Sequence, residues 1–112
     1  MSAISTHVLD ISTGRPAAGM PVTLEKQAGN DWQKAGQDVT DQNGRIPDLL
    51  SGSKLAAGTY RLIFDTAAYF TARNQAFFYP QVQVTFTVSD AGQHYHVPLL
   101  LSPFGYSTYR GS

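Results

Sequence analysis

The chain contains no cysteine. Disulfides cannot staple it, and thiol nucleophiles and thiolate metal sites are excluded. Charge is scarce too. Asp, Glu, Lys and Arg make up 14% of its 112 residues, against roughly 25% in ordinary globular domains. A surface this short of charge points to partner subunits covering part of it. The eight basic and eight acidic residues cancel and form no basic stripe, so nothing marks a nucleic-acid binder. No apolar run approaches membrane-spanning length. The opening MSAISTHVLD has neither the basic nor the apolar region of a signal peptide. The closing Arg-Gly-Ser is not a peroxisomal address. The expectation is a soluble cytoplasmic protein with no membrane partner, folded as a single domain over residues 1–112.

What is present is alternation. Ile4, Thr6 and Val8 face one way, and Ser5, His7 and Leu9 the other. Asp10 to Gly19 is turn chemistry. Pro21 to Gln27 alternates again, and Gly29-Asn30-Asp31 turns it back into Trp32 to Thr40. That stretch is polar enough to predict an edge strand. Asp41-Gln42-Asn43-Gly44 is the next turn, its Asn-Gly tolerating positive φ at both residues. Residues 46–58 are irregular. Thr59 to Thr66 and Gln81 to Val88 alternate cleanly, the second with Val82, Val84, Phe86 and Val88 inward. Between them, Ala67 to Asn74 breaks the pattern and fits a short helix capped by Asp65 or Thr66. The sum is about seven or eight short strands and one short helix. That is an all-β chain of two packed antiparallel sheets.

The last nineteen residues, HYHVPLLLSPFGYSTYRGS, carry the most information. Tyr95, Val97, Leu99 and Leu101 form a core face. His94, His96, Pro98 and Leu100 form the other, so two imidazoles point the same way. After the Ser102-Pro103-Phe104-Gly105 turn, Ser107, Tyr109 and Gly111 share one side and Tyr106, Thr108 and Arg110 the other. A polar, titratable wall stands beside an apolar core, as a binding or reacting surface would.

Four stretches together name a family: Ser5-Thr6-His7-Val8-Leu9-Asp10, Gly14-Arg15-Pro16-Ala17-Ala18-Gly19, Thr40-Asp41 through Asn43-Gly44-Arg45, and Tyr109-Arg110-Gly111-Ser112. With them the chain resembles the transthyretin-like 5-hydroxyisourate hydrolases from end to end. The terminal tetrapeptide with His7, Arg45 and His96 is what separates these enzymes from transthyretin, the hormone carrier of the same fold. The resemblance implies a transthyretin-like β-sandwich. It implies a homotetramer, a dimer of dimers, with active sites in a channel at the dimer–dimer interface. It implies hydrolysis of 5-hydroxyisourate to 2-oxo-4-hydroxy-4-carboxy-5-ureidoimidazoline, with no metal or organic cofactor.

The residues suit that chemistry. Ring opening needs water to attack a carbonyl, a base for the water's proton, and a donor for the oxygen that becomes negative. Neutral imidazole fits the first task near neutral pH. A guanidinium, always charged and forked, fits the last. His7 and His96 are then expected at the attacking water, one as base and one orienting it. Arg45 binds substrate oxygen, Tyr109 lines the site, and Ser112 supplies a hydroxyl or the terminal carboxylate. Ser107 shares Tyr109's face and is a second substrate-binding candidate. His94 supports His96, Arg110 pairs with a neighbouring carboxylate, and Tyr106 belongs to core or interface.

Blander readings compete. A histidine is more often a hydrogen-bonded surface residue than a catalyst, and an arginine after an Asn-Gly turn is ordinarily solvated. Three histidines could hold zinc, but no carboxylate or cysteine completes a site. The rival functions are a small-ligand carrier on the same tetramer and a β-sandwich interaction module without chemistry.

Overall fold

Each strand has one apolar face to hide, and two sheets close on one another to hide them. The computed structural model describes residues 3–112. Nine strands and one helix follow in order: β1 (Ile4–Asp10), β2 (Arg15–Pro16), β3 (Pro21–Ala28), β4 (Asp31–Val39), β5 (Arg45–Ile46), β6 (Gly58–Phe64), α1 (Thr66–Thr71), β7 (Val82–Val88), β8 (Tyr95–Ser102) and β9 (Gly105–Thr108). One sheet runs β2-β1-β8-β9, with β5 also paired to β1; the other runs β4-β3-β6-β7. Ile4, Val8, Leu99 and Leu101 from the first meet Val22, Leu24, Leu62 and Phe64 from the second, all fully buried.

The expected architecture is present, with two differences. The strands number nine because β2 is a two-residue piece inside a segment that reads as turn, and β5 another just after the Asn-Gly turn, where the irregular stretch begins. And one pairing, β1 with β8, is parallel, with Ser5 opposite His96 and His7 opposite Pro98. Alternation shows which face a residue occupies but not strand direction, which depends on the path of the connecting chain. The polar strand β4 does lie at a sheet edge. The helix is shorter than the 67–74 stretch. Asp65 caps it by accepting from the Ala68 amide at 3.0 Å, and it stops at Thr71 before Asn74 takes a positive φ of 54°. Among the described residues no helix is long and apolar enough to cross a membrane.

One buried charge ties α1 to the sheet. Asp10 continues the inward face of β1 and is fully buried. Its carboxylate accepts from the Ser12 amide and hydroxyl and, at 2.8 Å, from the Tyr69 hydroxyl. The Arg73 guanidinium lies 3.8 Å from the Tyr69 ring centre. Burial first, then the bond and the charge of Asp10, push the Tyr69 hydroxyl from 10.0 up to about 12. The folded state therefore holds this proton more tightly than the unfolded chain does. That stabilisation is complete below pH 10, fades as pH rises from 10 to 12, and is gone above. It amounts to about 2 to 3 kcal/mol. Urea unfolding at pH 8, 10 and 11.5 is expected to show this loss in the wild type and not in Tyr69→Phe; equal alkaline slopes would refute it.

Candidate active site

The register of the first sheet lays its outward side chains in two rows. The strand β1 lies between β5 and β8, with His7 opposite Arg45 on one side and opposite Pro98 on the other. One step along, Ser5 lies opposite His96, and His96 bridges Gly111 of the tail. Residues 7, 45 and 96 are far apart in the chain and neighbours in space because a parallel strand and a two-residue strand flank β1.

Gly44 makes the Arg45 placement possible. Its φ is +72°, and a side chain there would put a Cβ 2.4 Å from the Val8 carbonyl oxygen. Val8 donates its amide to the Gly44 carbonyl at 2.8 Å. Asp41 closes the turn by accepting from the Asn43 and Arg45 amides at 2.8 and 3.0 Å. The bare backbone brings β5 against β1 and sets Arg45 opposite His7 in the ladder.

A cleft of about 240 Å³ opens over these rows, lined by Ser5, Thr6, Arg45, Pro47, His94, His96 and Ser112. Inside it the His94 and His96 rings lie nearly parallel, 6.3 Å apart between centres at 14°. The Ser5 hydroxyl sits between them, 2.8 Å from His96 Nδ1 and 3.2 Å from His94 Nε2. This leaves Nε2 as the His96 nitrogen open to a ligand. Burial, and after it the neighbouring His94, His7 and Arg45, hold His96 below the ordinary histidine value of 6.5, so it stays neutral into mildly acid solution. Arg45 forms no salt bridge among the described residues. A neutral imidazole beside an unneutralised guanidinium can take a proton from water while an anionic oxygen is held close by.

Of the residues singled out from sequence, the cleft gathers Arg45, His96 and Ser112, with His7 next to Arg45 in the ladder. Tyr109 and Ser107 do not line it within one chain. Both are exposed, and Tyr109 lines an apolar recess of about 140 Å³ with Val84, Phe86, Tyr95 and Val97. Among the described residues Arg110 pairs with no carboxylate. It covers the Tyr95 ring at 4.6 Å and donates to Gln93 Oε1 at 3.0 Å, because no acid reaches it in the turn before β8. Tyr106 is 43% exposed and packs edge-on against Tyr79. His94, expected to support His96, lines the cleft beside it, and one further residue enters, Ser5. Ser5 shares the outward face of β1 with His7, which was its only signal; the rest lay in the parallel register. Among the described residues no three His, Cys, Asp or Glu side chains come together as a metal would need.

Comparison with known proteins gives the family. Residues 4–111 match the HIUase/Transthyretin family. A Caenorhabditis elegans chain named "Probable 5-hydroxyisourate hydrolase R09H10.3" is 51% identical over 111 residues, 99% of this chain and 82% of that one. The solved 5-hydroxyisourate hydrolase of Klebsiella pneumoniae superposes with a TM-score of 0.88 at 40% identity, covering 99% of this chain and 100% of that one. Transthyretin from Sparus aurata superposes with a TM-score of 0.92 at 32% identity, covering 99% and 97%. The backbone is thus common to the 5-hydroxyisourate hydrolase and to transthyretin, and sequence identity is higher to the hydrolases. The chain belongs to the HIUase/Transthyretin family.

Proposed function

We propose that the chain hydrolyses 5-hydroxyisourate to 2-oxo-4-hydroxy-4-carboxy-5-ureidoimidazoline, a step of urate degradation. The observation that carries this reading is the cleft in which His96, His94, Ser5, Arg45 and Ser112 meet beside His7. His96 Nε2 takes a proton from water as the water oxygen bonds to the ring carbonyl carbon. The Arg45 guanidinium holds the oxygen that becomes negative, an interaction worth roughly 3 to 4 kcal/mol at the transition state for one good donor. The carbonyl carbon–nitrogen bond then breaks, and the proton passes to the departing nitrogen. His7, level with Arg45, orients the water or the substrate. Ser112 offers its hydroxyl at the cleft rim.

The same reading makes the working unit a homotetramer, a dimer of dimers, with Tyr109 and Ser107 reaching substrate in a channel between subunits. The exposed aromatic groups Phe78, Phe104, Tyr106 and Tyr109, between 43 and 69% accessible in one chain, support a covered face. The cytoplasm is the proposed place of action.

The reaction is tested directly by generating 5-hydroxyisourate with urate oxidase and following its absorbance. The expected result is decay much faster than the spontaneous rate and unchanged by a chelator. The acid limb of kcat/KM, which reports the free enzyme, should lie below pH 6.5, because the base works unprotonated and burial holds His96 below the ordinary histidine value. A spontaneous rate with the chain present removes the hydrolase and leaves the carrier; inhibition by chelator that zinc reverses restores a metal site.

A further inference from the structure

We propose that Ser5 is a positioning residue that fixes the tautomer of His96, so that Nε2 is the unprotonated nitrogen facing the cleft. This deepens the hydrolase reading and rests on it only for the kinetic half of its test. Ser5 is 7% exposed, and its hydroxyl lies within hydrogen-bonding distance of two imidazole nitrogens, His96 Nδ1 at 2.8 Å and His94 Nε2 at 3.2 Å. A hydroxyl has one proton to give. It can donate to one ring and must accept from the other, so the two contacts are coupled.

Two arrangements satisfy the pair. In the first, Ser5 donates to His94 Nε2 and accepts from His96 Nδ1–H, leaving His96 Nε2 bare. In the second the chain runs the other way, and His96 carries its proton on Nε2. Only the first makes His96 a base toward the cleft. A hydrogen bond at the far nitrogen is a general means of setting which imidazole nitrogen reacts. The backbone reinforces it. Ser5 and His96 are directly opposed in the parallel ladder, so the hydroxyl cannot drift along the strand relative to the ring. The shorter of the two contacts is the one to His96. The ring itself is backed by the bare Gly111 backbone.

The chain has three histidines, so 15N labelling of histidine followed by long-range proton–nitrogen spectra resolves each tautomer without crowding. Above pH 7.5 the wild type is expected to show His96 protonated on Nδ1. In Ser5→Ala the usual preference for a proton on Nε2 should take over. With that change kcat should fall about 10- to 100-fold, part of the effect of a general base, while KM stays within about twofold. Ser5→Thr keeps the hydroxyl and should restore both tautomer and rate. His94→Phe provides an independent arm. It preserves the stacked ring but removes the acceptor, so the Ser5 proton turns to His96 Nδ1 and the Nε2–H form should rise. Identical His96 tautomer populations in wild type, Ser5→Ala and His94→Phe overturn the proposal, whatever the rates. A wild-type chain that shows the Nδ1–H form but no hydrolase activity overturns the function and not the positioning role.

Discussion

His96→Asn is expected to lower kcat by about 10²- to 10⁴-fold, the range associated with a positioned general base. Asparagine keeps a polar planar group that can still reach Ser5, but it has no basic nitrogen to receive the water's proton. The fold should survive. His96 is half-buried on the outward face of β8, whereas the inward residues Tyr95, Val97 and Leu99 carry the core contacts. KM should change little, since Arg45 and the remaining cleft wall still bind substrate. His7→Asn should also cost orders of magnitude, and the pH profile separates the two residues. If His96 is the base, the acid limb disappears in His96→Asn and survives, at a lower plateau, in His7→Asn. Thermal unfolding and sedimentation of each variant guard against a trivial loss of structure. Turnover at the wild-type level in His96→Asn would eliminate the base assignment and throw the chemistry onto His7 or His94.

The extent to which this site could be read from residues alone follows from what alternation encodes. Alternation placed Tyr95, Val97, Leu99 and Leu101 inward and His94 and His96 outward, and the structure agrees at each position. It placed Ser5 with His7 on the outward face of β1. It also exposed the edge character of β4, since a strand paired on one side only carries a polar face cheaply. Neighbourhood is another matter. That Ser5 stands opposite His96 is a fact about the parallel β1–β8 ladder, and no turn joins those strands to reveal it. Arg45 reaches His7 through a two-residue strand, too short to leave a periodic signal. Asp10 read as the first residue of a turn, yet it ends β1 fully buried, its charge offset by Tyr69 and Ser12. An ionised side chain on an inward position requires such partners, and they lie 59 and 2 residues away. Arg110 found a tyrosine ring and an amide in place of a carboxylate. Composition gives a guanidinium's needs, and only the fold decides which neighbour meets them.

The tail's contribution turns on a missing side chain, and Gly111→Ala is the variant that exposes it. A Cβ at position 111 would lie 2.5 Å from His96 Cδ2, 3.3 Å from His96 Cγ and 3.2 Å from Pro98 Cγ. Real Cβ atoms do not approach carbon so closely, so one partner must move. Its φ lies outside the left-handed region, so alanine brings no backbone strain and the effect is steric alone. The imidazole is held by Ser5 at 2.8 Å and sits on a central strand of its sheet. The tail is held there by the Gly111 amide donating to the His96 carbonyl at 2.8 Å, one residue from the end of the described chain. The tail should therefore yield. Its lift removes one partly buried hydrogen bond, about 0.5 to 1.5 kcal/mol, which leaves thermal unfolding nearly unchanged. It also carries Ser112 off the cleft and unsupports the outer side of the His96 ring. Displacing a reacting group by about 1 Å can cost on the order of 100-fold. Gly111→Ala is thus expected to lose about 10- to 100-fold in kcat at near-native stability, and deletion of residues 109–112 to lose at least as much. Hydrogen exchange at the Gly111 amide, faster in the variant, would tie the loss to the lifted tail. A Gly111→Ala enzyme with native turnover would mean that the terminal segment covers His96 without serving it, and the base would then owe its placement to Ser5 and the β1–β8 ladder alone.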